Sequence, residues 1–261
     1  MPYTQLPLIA LAGFAAGAVN SLAGGGTLIS FPALLAMGIA PVTANITSTV
    51  ALCPGYLGAA FAQRGDLRGQ HARLWPLLAV AAAGGLCGAL LLLQTGTRSF
   101  SGAVPWLILL ACALLGAQER VRAALVARSA RDAAGGAANQ PRTTPVWLLP
   151  LVAAGAVYGG YFGAGMSVIM LAALGLAYDD ELPRLNALKQ TLALAANSAA
   201  ALWLAVVAPV NWTVVTVLAV GAALGGAWGG RLAGRMSPLL LRRAVVLLGI
   251  AVALAYLVRT R

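Results

Sequence analysis

The only lysine of this 261-residue chain, Lys189, stands in Asn186-Ala-Leu-Lys-Gln-Thr191, at the start of an otherwise apolar run. An ionisable group at membrane depth is costly and by default marks function. With Gln190, Thr191, Asn197 and Ser198 close by in sequence, it offers a positive charge and hydrogen bonds to an anion. The competing reading is a helix-end lysine snorkelling toward Asp179, Asp180 and Glu181.

A second group of candidates needs no formal charge. Asn20-Ser-Leu-Ala-Gly-Gly-Gly-Thr-Leu-Ile-Ser-Phe-Pro32 is polar and Gly-rich, inside a run without charged residues from Met1 to Gln63. Gly24, Gly25 and Gly26 leave backbone N–H groups accessible. Thr27 begins an apolar run whose helical N-terminus attracts anions through unpaired N–H groups and the helix dipole. In hydrocarbon such a break is tolerated only where protein or a water-filled cavity covers it. Close helix packing is the competing use of the glycines. Asn45, Thr47, Ser48 and Thr49, after Pro41, fit a polar lining, although hydroxyls in membrane helices also bond their own preceding turn. Gly163-Ala-Gly165 is a second break, with Tyr158, Tyr161 and Ser167 as its polar neighbours.

Catalysis finds little support. His71, the single histidine, lies in a basic loop, and the six carboxylates read as lying in or beside loops. Gly163-Ala-Gly-Met-Ser167 has the look of an intramembrane serine-protease motif but lacks a membrane histidine to act as base. Cys53, Cys87 and Cys112 are scattered without metal or disulfide spacing. The expectation is no enzyme, no metal and no cofactor.

The elements that must position these residues are membrane helices. The chain is 61% hydrophobic and 9% charged, with mean hydropathy +0.87. A soluble domain is about a quarter charged. The net charge of +11 sits in short arginine clusters between apolar runs, the pattern of cytoplasmic loops and not of a nucleic-acid surface. No cleavable signal is expected. Trp75, Trp106, Trp147 and Trp212 mark predicted helix ends as interfacial anchors.

Apolar runs are predicted at 6–21, 27–37, 41–62, 74–94 and 101–117. After an Arg-rich, Ala/Gly-rich stretch they recur at 146–162, 166–178, 185–208, 212–232 and 239–258. The short runs cover only part of a core about 30 Å thick at 1.5 Å per residue. Gly13 and Gly17 correspond to Gly155 and Gly159, which places Asn20 opposite Phe162 and the first glycine cluster beside Gly163 and Gly165. The predicted fold is an all-α polytopic membrane protein of two inverted repeats, each a broken, re-entrant-like helical hairpin plus three transmembrane helices. Residues 1–118 form the first repeat, 119–144 a cytoplasmic basic linker and 145–261 the second repeat. Both termini are then outside, with Arg259 and Arg261 as contrary evidence. Gly84 with Gly88, and the glycines from Gly221 to Gly234, form small-residue packing faces. They are compatible with a homodimer and equally with packing inside one chain.

Gly13-x3-Gly17-x2-Asn20-Ser-Leu-Ala-Gly-Gly-Gly-Thr27, Pro32-Ala-Leu-Leu, Gly38 and Thr47 resemble the opening of the TauE/SafE family of membrane transporters, also called sulfite exporters. In the second half Leu185-Asn-Ala-Leu-Lys-Gln190, Asn197, Val210-Asn-Trp212, Gly221-x3-Gly225-Gly226-x3-Gly230 and Leu241-Arg-Arg243 follow the family pattern in order. The resemblance implies a multi-pass bacterial inner-membrane transporter of sulfite, sulfonates or similar small anions, usually by export. The second break departs from the fuller glycine run common in the family, which leaves substrate identity open. The expected partners are a small inorganic or organic anion and the lipid bilayer, with no nucleic acid. The expected mechanism is alternating access by a secondary transporter. A non-transporting scaffold or assembly subunit and a passive anion channel are the alternatives. Asn20, Gly24, Gly25, Gly26, Thr27, Asn45, Thr47, Gly163, Gly165, Lys189, Gln190 and Asn197 are the expected substrate-binding residues.

Overall fold

The computed structural model describes residues 5–23, 25–134, 143–232 and 238–259. Gly24, Gly234, Arg235, Arg261 and residues 135–142 of the expected linker lie outside the described residues. Within them the fold is helical throughout. In chain order the helices are α1 (Leu6–Ala23), α2 (Thr27–Ala36), α3 (Pro41–Ala62), α4 (His71–Ala134), α5 (Leu148–Tyr161), α6 (Met166–Ala177), α7 (Leu182–Val207), α8 (Trp212–Leu232) and α9 (Pro238–Arg259). Proline in the first turn starts α3 and α7, where its missing N–H costs nothing.

Helix α4 has two arms, 71–95 and 97–134, because Gly96 interrupts it at φ 70° and ψ 158°. This left-handed φ is one that glycine adopts readily. The second arm runs on into the expected linker. The segment predicted as a linker from residue 119 stays helical to Ala134, since alanine, arginine and glutamate are strong helix formers even where charge suggests a loop. Glu119 accordingly stands within a helix. At 1.5 Å per residue the second arm runs about 57 Å, well beyond a bilayer core.

Residues 71–128 and Leu182–Val207 are long and apolar enough to cross a membrane, and five shorter apolar helices accompany them. Trp75, Trp106, Trp147 and Trp212 are all exposed, as lipid-facing anchors are. Small residues set the closest packing. Gly13 and Gly17 of α1 lie on the backbone of Leu218 and Ala222 of α8, while Gly221 and Gly225 lie on Ala10 and Phe14. The first arm of α4 meets α5 in the same manner, with Gly84 against Ala156 and Gly88 against Val157. Glycine faces thus let backbones approach within one chain.

At the arginine-rich end the two halves are tied by polar contacts. Arg73 meets Asp180 at 2.5 Å, Arg184 meets the same carboxylate at 3.2 Å, and Arg128 meets Asp179 at 2.6 Å. Asn186 donates to the Gln63 side chain at 2.7 Å, and the Arg73 guanidinium lies over the Tyr178 ring. A further buried arginine, Arg242 of α9, pairs with Glu119.

Candidate functional site

The first break is built around Asn20. Its Oδ1 accepts the Gly25 N–H at 3.3 Å, and Gly25 takes φ 123°, a conformation that disfavours any other residue. A side chain at Gly26 would strike the Ala16 carbonyl at 2.5 Å, so the chain folds tightly back on α1. Leu28 and Ile29 donate to the carbonyls of Gly25 and Gly26, which begins α2. At the second break Gly163 and Gly165 both have φ 84°. The Tyr158 hydroxyl donates to the Ala164 carbonyl at 2.7 Å and holds the intervening peptide.

The two breaks meet. A β-carbon at Gly163 would stand 3.7 Å from Thr27 Oγ1 and 4.0 Å from Asn197 Oδ1. Gly25 and Gly165 rest on the same turn of α4, at Leu115 and at Leu114 with Ala111. Asn45 reaches this region by donating from Nδ2 to the Tyr161 carbonyl at 2.8 Å. Thr27, Gly163 and Asn197 are therefore neighbours although 136 to 170 residues separate Thr27 from the other two (163 − 27 and 197 − 27). Beside them lies an aromatic cluster: the Phe31 ring stands 5.3 Å from Phe162 and 6.5 Å from Phe100, which meets Tyr161 at 5.7 Å.

A cavity of about 630 Å³ opens between α1, α3, α7 and α8. Asn20, Gln63 and Gln190 supply its polar groups, and Gly, Ala, Leu52 and Pro54 supply the rest. No charged side chain is among the described residues that line it. Asn20 thus connects the cavity to the first break.

Lys189 is only 6% exposed and belongs to the buried face of α7. It makes no hydrogen bond or ion pair with any described residue, and arginines pair with Asp179 and Asp180. Lys189 does not line the cavity, whereas its neighbour Gln190 does. The polar run of α3 is tied to its neighbours. Ser48 bonds Ser30 at 2.6 Å, and Thr49 bonds the Asn45 carbonyl. Asn45 Oδ1 and Thr47 Oγ1 are buried without a partner among the described residues. These side chains face other helices because the first half of α3 is enclosed while its second half borders the cavity.

Two features were missed in the sequence. Pro41 and Pro183 open α3 and α7, and counting six residues onward from each gives Thr47 and Lys189, while fourteen gives Gly55 and Asn197. That spacing was available as a signal. The pairing of Arg242 with Glu119 joins residues on α9 and α4, which no local pattern connects.

Residues 9–256 match the family described as Sulfite exporter TauE/SafE. The chain is 29% identical over 182 residues to a probable membrane transporter protein ORF9 of Sinorhizobium sp. The match covers 68% of this chain and spans 64% of the length of that relative. No solved structure matches.

Proposed function

The chain belongs to the TauE/SafE sulfite exporter family of membrane transporters, and from that premise we propose that it is a secondary carrier exporting small sulfur-containing oxyanions across a bacterial inner membrane. The observation that carries this reading is the meeting of the two helix breaks at Thr27, Gly163 and Asn197. Discontinuous helices that converge inside a bundle are how many carriers build substrate sites. The anion enters through the cavity, takes hydrogen bonds from Asn20 and Gln190, and moves to the helix N-termini at the breaks. Lys189 supplies the compensating charge.

Two inverted repeats, 1–118 and 145–261, joined by 119–144, account for the layout. Each contributes two short helices followed by three longer stretches. The packing is also reciprocal: α1 lies on α8, and α5 lies on the first arm of α4. Arginine clusters support a cytoplasmic side for the α3–α4 and α8–α9 connections. Rocking of one repeat against the other changes which side reaches the site.

Efflux of labelled sulfite from proteoliposomes tests this reading. The wild type shows saturable flux and counter-transport, and Lys189→Ala lowers flux at least tenfold. A buried cation without a partner costs stability, so the variant unfolds in detergent no earlier than the wild type. Wild-type affinity and flux in Lys189→Ala would sink the assignment of the lysine. A folded wild type that moves no oxyanion would sink the carrier.

A further inference from the structure

Two cations of this chain stand together without an acid. Lys189 is buried on α7, and Arg122, half-buried on the second arm of α4, is close enough for the two charges to interact. The ion pairs among the described residues take up Arg73, Arg128, Arg184 and Arg242, and neither Arg122 nor Lys189 is in one. Like charges brought together away from water repel each other, and each has also lost part of its hydration. Ionisable groups at membrane depth are kept where they serve an ion or a substrate. A bound anion would complete this pair.

The helices around the pair fix its place independently. Arg128 of α4 pairs with Asp179, which stands just ahead of α7. Six residues back along α4 and seven residues into α7, about 9 and 10 Å at 1.5 Å per residue, lie Arg122 and Lys189 at matching depth. Arg122 also continues a stripe of α4 at Ala111, Leu115, Gln118 and Arg122, whose steps of three and four residues keep to one helix face. Ala111 lies on Gly165 and Leu115 on Gly25, so the stripe starts at the two helix breaks. Between the breaks and Arg122 the Gln118 side chain is buried, with an Oε1 that has no partner among the described residues. The face of α4 that touches both breaks therefore ends on the cation pair. Gln118, Arg122 and Lys189 are all absent from the cavity lining.

We propose that Arg122 and Lys189 together hold a small oxyanion at a site between α7 and the second arm of α4, apart from the open cavity. The guanidinium offers paired N–H groups to two oxygens, and the ammonium offers a compact charge to a third. Two cations without an acid favour a doubly charged ligand over a singly charged one. Gln118, one turn from Arg122 toward the breaks, offers its amide to an anion moving between the two places. The proposal takes its ligand class from the carrier reading and adds Arg122 to the binding residues, in a segment that charge alone marks as a linker.

The test is calorimetric binding of inorganic sulfite to the purified full chain, at constant ionic strength and mildly alkaline pH, with nitrate as the monovalent comparison and sulfite efflux from proteoliposomes alongside. Wild type binds sulfite at least tenfold more tightly than nitrate. Arg122→Gln and Lys189→Gln each weaken sulfite binding at least tenfold, and Arg122→Lys weakens it less than threefold. Arg120→Gln, which removes an exposed arginine of the same helix, leaves binding unchanged. Without anion, Arg122→Gln and the apolar Arg122→Met unfold no earlier than the wild type, because each relieves the repulsion. Earlier unfolding of both overturns the proposal, since the arginine would then serve the fold. Wild-type sulfite affinity in Arg122→Gln, or an equal loss in Arg120→Gln, overturns it and leaves the carrier standing where efflux persists. Binding that Arg122→Gln removes, without efflux in the wild type, supports the site and overturns the carrier. Neither binding nor efflux in the wild type overturns both.

Discussion

Two helix pairs of the chain, α3 with α8 and the first arm of α4 with α7, meet in different ways. Helices α3 and α8 touch along part of their length and leave the cavity open beside α1 and α7. The first arm of α4 and α7 are pressed together, with Gly85 directly on the backbone of Ala196. The closed pair is also fastened at the arginine-rich end, where Arg73 of α4 and Arg184 of α7 share Asp180. Among the described residues no ion pair joins α3 to α8. A similar succession of helices thus makes a sealed seam in one place and an open crevice in the other. What differs is a glycine where the backbones touch and a buried carboxylate that only one side possesses.

The largest effect should come from unfastening the closed pair. Arg73→Ala leaves Asp180 buried with one arginine fewer. Removing one partner of a buried ion pair costs about 3–5 kcal/mol. Thermal unfolding in detergent should show a clear loss for this variant. An unchanged unfolding temperature would mean that the seam is held by helix packing alone. The next effect is steric. At Gly85 a β-carbon would fall 2.7 Å from the Ala196 carbonyl carbon, where only backbone movement makes room. Gly85→Leu should therefore destabilise by about 1–3 kcal/mol or more. Ala223→Leu, on the exposed cavity wall of α8, should leave unfolding within error of the wild type. Equal losses from the two leucines would erase the distinction between sealed and open pairs.

Much of this layout was legible in the sequence, because hydropathy reports which stretches lipid or other helices can surround. The runs at 27–37 and 41–62 became α2 and α3, and both glycine breaks fell where expected. Extra arginines hid the continuation of α4 past residue 119, since charge shows only that a segment can meet water and is silent about its backbone. The burial of Lys189 was readable from the apolar residues around it. The occupants of Asp179 and Asp180 were not, as they come from Arg73 and Arg128, far earlier in the chain. The cavity was beyond local reading for the same reason. Gly55 resembles any helix glycine until α8 is placed opposite it. The expected single site was also divided: Asn20 and Gln190 border the cavity, Thr27, Gly163 and Asn197 meet at the breaks, and Lys189 stands apart from the lining.

The smallest effect concerns what fixes α3 beside its open crevice. The first half of this helix is buried and tied twice, by Asn45 to the Tyr161 carbonyl and by Ser48 to Ser30. Its second half borders the cavity through Gly55, Gly58 and Ala59. If the buried half is the anchor and the other half only a wall, losing one tie should loosen the helix without closing the crevice. Asn45→Ala removes one hydrogen bond, worth about 0.5–1.5 kcal/mol, and also removes an Oδ1 that is buried without a partner. These terms partly offset, so the expected loss is about 1 kcal/mol or less. Hydrogen exchange should rise in residues 41–49 and stay unchanged along the first arm of α4. Faster exchange along both helices would show that the sealed and open pairs share one anchor.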